Sequence, residues 1–241
     1  MSSTHNIDPQ APRTIYARPT APAAATTKAT RALLSCGTVA GPLFVVVALI
    51  QAFTRDGFDL RRHPFSMLSL GDLGWVQIVN FVVSGLLFLT CAIGIRRVLR
   101  GHRGGTWGPL LIGTFGVAQI GGGVFVADPA LGFPAGTGDG APESVSWHST
   151  VHGLAFAIGM IALITVCFVI ARAFAASGDR GWSRYSTFTG IAFVALGGLG
   201  AGLGDWRIVA LAVVLGWGWA ALVAARLRST SLQLAREAGD I

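Results

Sequence analysis

The sequence predicts an all-α membrane protein: a bundle of six transmembrane helices with a short interfacial helix in the first outer loop. Hydrophobic residues make up 52% of the 241 residues and charged residues only 12%. Soluble domains carry roughly 25% charged residues, so lipid rather than water is expected around most of the surface. The apolar residues also form six long runs, and the basic residues gather between alternate pairs of runs.

The elements follow in chain order. Residues 1–31 are rich in Ala, Pro and Thr, which predicts a disordered tail. Each apolar run is near the ~20 residues that cross a bilayer, and a soluble helix rarely runs so long without a polar face. We therefore expect one transmembrane domain over residues 32–226 and a second tail over 227–241. The predicted spans are 32–53, 75–95, 107–127, 149–170, 185–203 and 208–225.

The basic residues indicate the orientation. With six spans, 14 of the 18 Lys and Arg residues fall on one side, and positive charge is retained in the cytoplasm. Both tails are therefore expected in the cytoplasm, in a multi-pass protein of the cell membrane. The basic residues form no single stripe, which argues against binding of nucleic acid. The three cysteines all lie within apolar runs, so no disulfide framework is predicted.

The segment 58–75 joins the first two spans and mixes polar with apolar residues. Pro64 suits the first turn of a helix and Gly71 suits a helix end. We expect this segment to form the interfacial helix, lying over the mouth of the bundle. It carries three candidate site residues, His63, Ser66 and Asp72.

Other polar residues lie within the spans or at their ends, where lipid cannot hydrogen-bond them. Gln77 and Asn80 share one helix face, which should turn inward and bond to the outer loops. His148 and His152 are four residues apart at the start of the fourth span, and Gln119 lies deeper on the third. Topology brings these residues, except Gln119, to the outer end of the bundle, together with His63, Ser66, Asp72, Asp128 and Asp205.

Three interpretations of this outer cluster remain open. The first is a hydrogen-bonded lock that ties the loops to the bundle. The second is a metal site, and the third is a metal-free site for a small amphiphile. In the metal interpretation, His148 and His152 bind zinc at a helical spacing typical of such ligands, and His63 or Asp128 completes the site. Ser66 is then a candidate catalytic residue of a hydrolase. In the metal-free interpretation, the ligand contacts are His63, Asp72, Gln77, Asn80 and Asp205.

Glycines on the fifth span suggest helix packing. Gly198 and Gly202 are four residues apart, as are Gly200 and Gly204. Small residues at this spacing let helices approach closely in lipid. Apart from the bilayer itself, a protein partner or a second copy is therefore expected, and an accessory or scaffold role is a further alternative.

Several motifs together resemble the "domain of unknown function 998" family of prokaryotic membrane proteins. They are Arg-His-Pro-Phe-Ser at 62–66, Leu-Gly-Asp-Leu-Gly-Trp at 70–75 with Gln77 and Asn80, Asp-Pro at 128–129, Gly-Phe-Pro-Ala-Gly-Thr at 132–137, and Trp-His-Ser-Thr-Val-His at 147–152. The resemblance covers roughly residues 33–225. It implies an integral membrane protein with about six spans and implies no activity.

A looser similarity links the chain to membrane hydrolases of the alkaline ceramidase and adiponectin-receptor kind. Those enzymes combine Ser, Asp and His residues around zinc within seven spans. By that analogy Ser66, Asp128, His63, His148 and His152 would hold a metal and act on a lipid. The number of spans differs, and the order of the motifs does not clearly match.

Overall fold

The computed structural model describes residues 23–142 and 144–237. Within these residues the chain forms six α-helices and one turn of 3-10 helix. The helices are α1 (Ala23–Thr54), α2 (Gly74–Val98), α3 (Trp107–Val124), α4 (Trp147–Ala176), α5 (Arg180–Leu203) and α6 (Trp206–Glu237). The 3-10 turn, Phe65–Ser69, is called the cap turn below, and the end of the bundle where it lies is called the cap end.

Two helices extend beyond the predicted spans. α1 begins at Ala23, so the last part of the tail predicted to be disordered is helical. The run of Ala, Thr and Lys that precedes the apolar segment continues its helix, since Ala and Lys are good helix formers. α6 likewise continues to Glu237, through most of the predicted second tail. The first 22 residues of the predicted N-terminal tail lie outside the described residues.

Consecutive helices pack side by side, and α6 packs back against α1, so the six helices form a closed ring. The connections that follow α2, α4 and α5 are short, which makes those neighbouring helices antiparallel, whereas longer loops follow α1 and α3. Only Gly204 and Asp205 join α5 to α6, and Gly204 adopts a left-handed conformation (φ 65°) that glycine tolerates without strain. The cap turn contacts α1, α2 and α3.

The chain is embedded in a membrane as a helical bundle. In the part of the chain that the structure describes, five helical segments are long and apolar enough to cross a bilayer: Lys28–Thr54, Gly74–Val98, Trp147–Ala176, Arg180–Leu203 and Trp206–Gln233. α3 does not belong to this set, because its many glycines and Gln119 lower its mean hydropathy.

Close contacts at glycine hold the ring together. A Cβ atom on Gly85 would lie 2.6 Å from the carbonyl oxygen of Gly116, and a Cβ on Gly116 would lie 2.8 Å from that of Gly85. The backbones of α2 and α3 therefore touch, as small residues allow in lipid. Of the glycines noted on α5, Gly200 packs against Val209, whereas Gly198 and Gly202 face open space. The expected protein partner stays a prediction.

An aromatic stack fills the middle of the ring. Phe44 contacts both Phe81 and Trp217, with ring centroids 5.0 and 5.4 Å apart. Phe115 contacts Trp217 and Phe88, each at 4.9 Å. Phe44 lies ten residues before the end of α1, which corresponds to about 15 Å along the helix. The space between this aromatic stack and the cap turn contains the candidate site.

A chamber beneath the cap turn as the candidate functional site

His63 ties two loops at the cap end to each other. Its side chain is 1% exposed. The backbone N–H of Asp59 donates to Nδ1 at 2.9 Å, so Nε2 carries the proton and donates to the carbonyl oxygen of Leu131 at 2.9 Å. The imidazole also lies against Phe58 and Phe133. Both ring nitrogens are therefore in use, and the neutral ring has no lone pair left for a metal.

Arg55 fastens the cap turn to the end of α1. Its guanidinium donates to the carbonyl oxygens of Leu68 and Leu70 and lies 5.0 Å from the centre of the Phe133 ring. Burial lowers the pKa of Arg55, and the charge of Asp72 opposes that shift. Asp72 itself is exposed at the surface. Sequence reasoning missed Arg55, although it is a basic residue on the side where few occur.

Asp128 stabilises the start of α4. Its carboxylate accepts a hydrogen bond from the backbone N–H of Ser146 at 2.8 Å, and Ser146 in turn caps the helix through Ser149. The Ser146 side chain and backbone N–H lower the pKa of Asp128, with smaller contributions from Ser149 and the charge of His148. His148 is exposed and stacks on Trp147, with 3.6 Å between ring centroids.

Asp205 lies at the connection between α5 and α6, outside the chambers described below. It forms an ion pair with Arg207 at 2.6 Å and accepts the backbone N–H of the same residue. Hydrogen bonding from Arg207 lowers the pKa of the Asp205 carboxyl. The next residue, Trp206, donates its backbone N–H to the carbonyl oxygen of Arg61 at 2.9 Å, which links this connection to the first loop.

Gln77 and Asn80 face the bundle, with exposures of 0% and 4%. Their expected bonds to the loops are wrong, because their partners lie on α1. Gln51 donates to Gln77 at 2.8 Å, and Asn80 donates to the carbonyl oxygen of Phe44 at 3.1 Å. Gln51, a polar residue in the last turns of an apolar run, was a signal that sequence reasoning overlooked.

Ser66 and His152 line one small chamber, of about 30 Å³, directly beneath the cap turn. Gln119 of α3 contributes a third polar side chain to its wall. His152 is 8% exposed, and its Nδ1 lies 2.8 Å from the carbonyl oxygen of Phe125 and 3.1 Å from that of Gly122. Since both partners are acceptors, Nδ1 carries the proton, and Nε2 of the neutral ring keeps a lone pair.

A second chamber, of about 50 Å³, adjoins the first and shares Ser66, Gln119 and Phe156 with it. Its floor is formed by Phe44, Phe81 and Trp217 of the aromatic stack. Trp217 lies in the middle of a span, whereas tryptophans in membrane proteins are enriched at the two membrane interfaces. That position was a signal in the sequence, but the residue was not selected as part of a site.

The third space is an apolar lateral cleft of about 260 Å³. It lies between α4 and α5, with α6 behind it, and shares Phe156 and Met160 with the second chamber. Phe156 and Val194 at its edges are 45% and 51% exposed, so the cleft opens on the side of the bundle. Here α4 and α5 diverge, whereas Gly190 packs against Phe168 further from the cap end.

Comparison with protein-family models finds a match, described as "Protein of unknown function (DUF998)", over residues 38–226. The chain belongs to this family. Neither the curated proteins nor the solved structures provide a match. The matched region extends from the middle of α1 to about two thirds of the way along α6, so the ring, the cap turn and the chambers all belong to the family domain.

The predicted zinc ligands of this DUF998 domain have separate surroundings in the structure. Among residues 23–142 and 144–237, no three His, Cys, Asp or Glu side chains come together as metal ligands. His152 is buried whereas His148 is exposed and stacked on an indole, so the two histidines have different surroundings. Asp128 is engaged by the start of α4. Zinc stays a prediction from the sequence, and no chemistry is derived from it.

Proposed function

We propose that the protein binds a single-chain amphiphile, with the polar head in the two chambers beneath the cap turn and the hydrocarbon chain in the lateral cleft. The observation that carries this proposal is the succession of spaces from Ser66, Gln119 and His152 to the apolar cleft. Ligand sites are commonly concave and mostly apolar, with a few polar groups that orient the ligand. The lateral opening admits the ligand directly from the bilayer.

Six crossings and an outward-facing cap end complete the proposal. α3 lies in the ring between α2 and α4, both of which are long enough to cross, and antiparallel packing supports a crossing by α3 as well. The basic residues favour both termini in the cytoplasm of the cell membrane. The cap turn then lies at the outer membrane surface, and the ligand comes from the outer leaflet.

A photoreactive monoacylglycerol, with a diazirine in its chain, tests the cleft in detergent-purified full-length protein. We expect cross-links on the cleft-facing parts of α4, α5 and α6. Gly198 lines the cleft and has open space beside it, so Gly198→Phe should fill the cleft and reduce cross-linking at least fivefold.

Gly202→Phe is the matched control. It lies one helical turn further along α5, also beside open space, and is not among the residues that line the cleft. This variant should cross-link like the wild type. Cross-links spread evenly over all lipid-facing helices, or equal yields for the two variants, would contradict the proposal.

Hydrolysis of an ester-bearing amphiphile is the second candidate, and it is supported by the chamber that Ser66 and His152 line together. Ser66 Oγ would bond to the ester carbonyl carbon while its proton passes to Nε2 of His152. That proton would then leave with the alcohol as the C–O bond breaks. Water would repeat the sequence, releasing the acid and restoring the Ser66 hydroxyl.

A fluorophosphonate probe tests this second candidate, because it reacts with activated serines. Labelling at Ser66 that disappears in Ser66→Ala and persists in Ser229→Ala would support hydrolysis, whereas an unlabelled protein would contradict it. Metal analysis of protein purified without chelator tests the zinc-dependent version. Less than a tenth of an equivalent of zinc, or equal content in the His148→Ala/His152→Ala variant, would overturn that version.

A further inference from the structure

Two residues that line the second chamber carry buried hydrogen-bond donors with no acceptor within the described part of the chain. They are Nε2 of Gln119 and Nε1 of Trp217, whose side chains are 5% and 2% exposed. Both residues line the same chamber. Buried polar groups in folded proteins nearly always have partners, so each such donor requires an explanation.

Trp219 provides an internal comparison. It lies two residues further along α6 and is equally buried, but its indole N–H donates to Ser186 Oγ at 3.0 Å. The fold thus satisfies the indole of Trp219 from within the bundle. The indole of Trp217, at the chamber, is left for an acceptor supplied from elsewhere.

The chamber walls carry no charge among the described residues. Neither chamber, nor the lateral cleft, is lined by Lys, Arg, Asp or Glu. An ionised phosphate or carboxylate would lie there without a counter-ion, in surroundings formed largely by aromatic rings, and burial of an unpaired charge is strongly unfavourable. An uncharged oxygen acceptor suits two neutral donors without that penalty.

We infer that the head group bound in the second chamber is an uncharged carbonyl, which accepts hydrogen bonds from Gln119 and Trp217. This inference rests on the proposed amphiphile site and specifies its ligand. Two kinds of membrane molecule present a neutral carbonyl at the end of a hydrocarbon chain: acyl esters of an alcohol, and isoprenoid quinones.

Native mass spectrometry of the full-length protein in detergent tests the inference with four probes. Monooleoylglycerol carries a neutral ester, oleate carries the same chain with a carboxylate, octadecene has no head group, and a menaquinone with a short isoprenoid tail carries a quinone. We expect one-to-one adducts with the ester, the quinone or both, at least tenfold more abundant than those with oleate or octadecene. The probe that binds identifies the source of the carbonyl.

The Gln119→Leu/Trp217→Phe variant should lose these adducts at least tenfold. Because the Trp217 ring also packs against Phe44 and Phe115, the single variant Gln119→Leu provides a second measurement if the double variant does not fold. Trp219→Phe, the same change at the satisfied indole, should bind like the wild type.

Equal adducts with oleate and monooleoylglycerol, or unchanged binding in Gln119→Leu, would overturn the inferred head group and leave the amphiphile site standing. Absence of adducts with all four probes would overturn the amphiphile site together with the inference. Loss of binding in Trp219→Phe to the same degree as in Gln119→Leu would also overturn the inference, because it would indicate a general effect of packing.

Discussion

His63 illustrates how the hydrogen-bond partners of a polar side chain determine its role. Its type and position in the sequence suited a metal ligand, a ligand contact and a structural lock equally well. Two hydrogen bonds at 2.9 Å, one to each ring nitrogen, distinguish these roles, since together they hold the first loop to the loop between α3 and α4. The sequence identified the histidine as a candidate but did not predict which groups bond to its ring.

We therefore expect His63→Ala to lower the free energy of unfolding by about 1–3 kcal/mol, because it leaves the carbonyl oxygen of Leu131 and the N–H of Asp59 without partners. Thermal unfolding in detergent measures this change, and tryptic cleavage at Arg61 and Arg62 should accelerate. His148→Ala, at an exposed histidine, should stay within about 0.5 kcal/mol of the wild type. Equal effects of the two substitutions would contradict the lock.

Asp128 makes the start of α4 sensitive to acid. Its pKa in the folded protein lies below the ordinary value of 3.8, so folding favours the ionised carboxylate. The resulting stabilisation is fully present above pH 4 or so and is lost as the pH falls through the lower, folded pKa. Asp128→Asn should therefore flatten the acid side of a plot of unfolding temperature against pH. If Asp128→Asn keeps the wild-type slope of unfolding temperature against pH, other carboxylates are responsible for that slope.

At the scale of elements, hydrophobic length predicted the helices well, and glycine determined how they meet. The predicted start of every span from the second to the sixth lies within five residues of the observed start, because long apolar runs must form helices in lipid. α1 begins earlier and α6 ends later than predicted, because residues of high helix propensity continue each helix beyond its apolar segment. Which glycines are in contact depends on helix rotation, which composition does not specify.

The contact between α2 and α3 gives a matched pair of substitutions. Gly85→Ala places a methyl group 2.6 Å from a carbonyl oxygen of α3 and should destabilise the protein by about 1–3 kcal/mol. Gly113→Ala, where the nearest atom is 3.8 Å away, should be neutral or slightly stabilising. Thermal unfolding of both variants checks this difference. A tolerated Gly85→Ala would mean that these helices separate easily.

At the scale of the whole molecule, the sequence predicted the membrane bundle but not the chambers. Ser66, Gln119, His152 and Trp217 come from four separate elements, and their meeting depends on closure of the ring between α6 and α1. Of the nine described residues predicted to form one site, only Ser66 and His152 line these chambers. The other seven lie outside them: His63, Asp72, Gln77, Asn80, Asp128, His148 and Asp205. Topology brings residues to one end of a bundle but does not rotate them toward one another.

Orientation is testable with two engineered cysteines. Gly138 lies in the loop between α3 and α4 with open space around it, and Arg100 is exposed between α2 and α3. In intact cells an impermeant maleimide should label Gly138→Cys and leave Arg100→Cys unlabelled until the membrane is opened. The buried native thiols Cys91 and Cys167 should contribute little background. The reverse pattern would place the cap end in the cytoplasm.

The aromatic stack closes the proposed site on the side away from the cap turn. Phe44, Phe81 and Trp217 form its floor midway through the ring, while the cleft between α4 and α5 is a side entrance. A guest entering that way would slide within the plane of one leaflet and return by the same route. Movement of an uncharged guest in that plane does no electrical work. Because ligand exchange requires α4 and α5 to separate, its rate should depend on the lateral pressure of the lipid tails. The rate should not depend on the transmembrane potential.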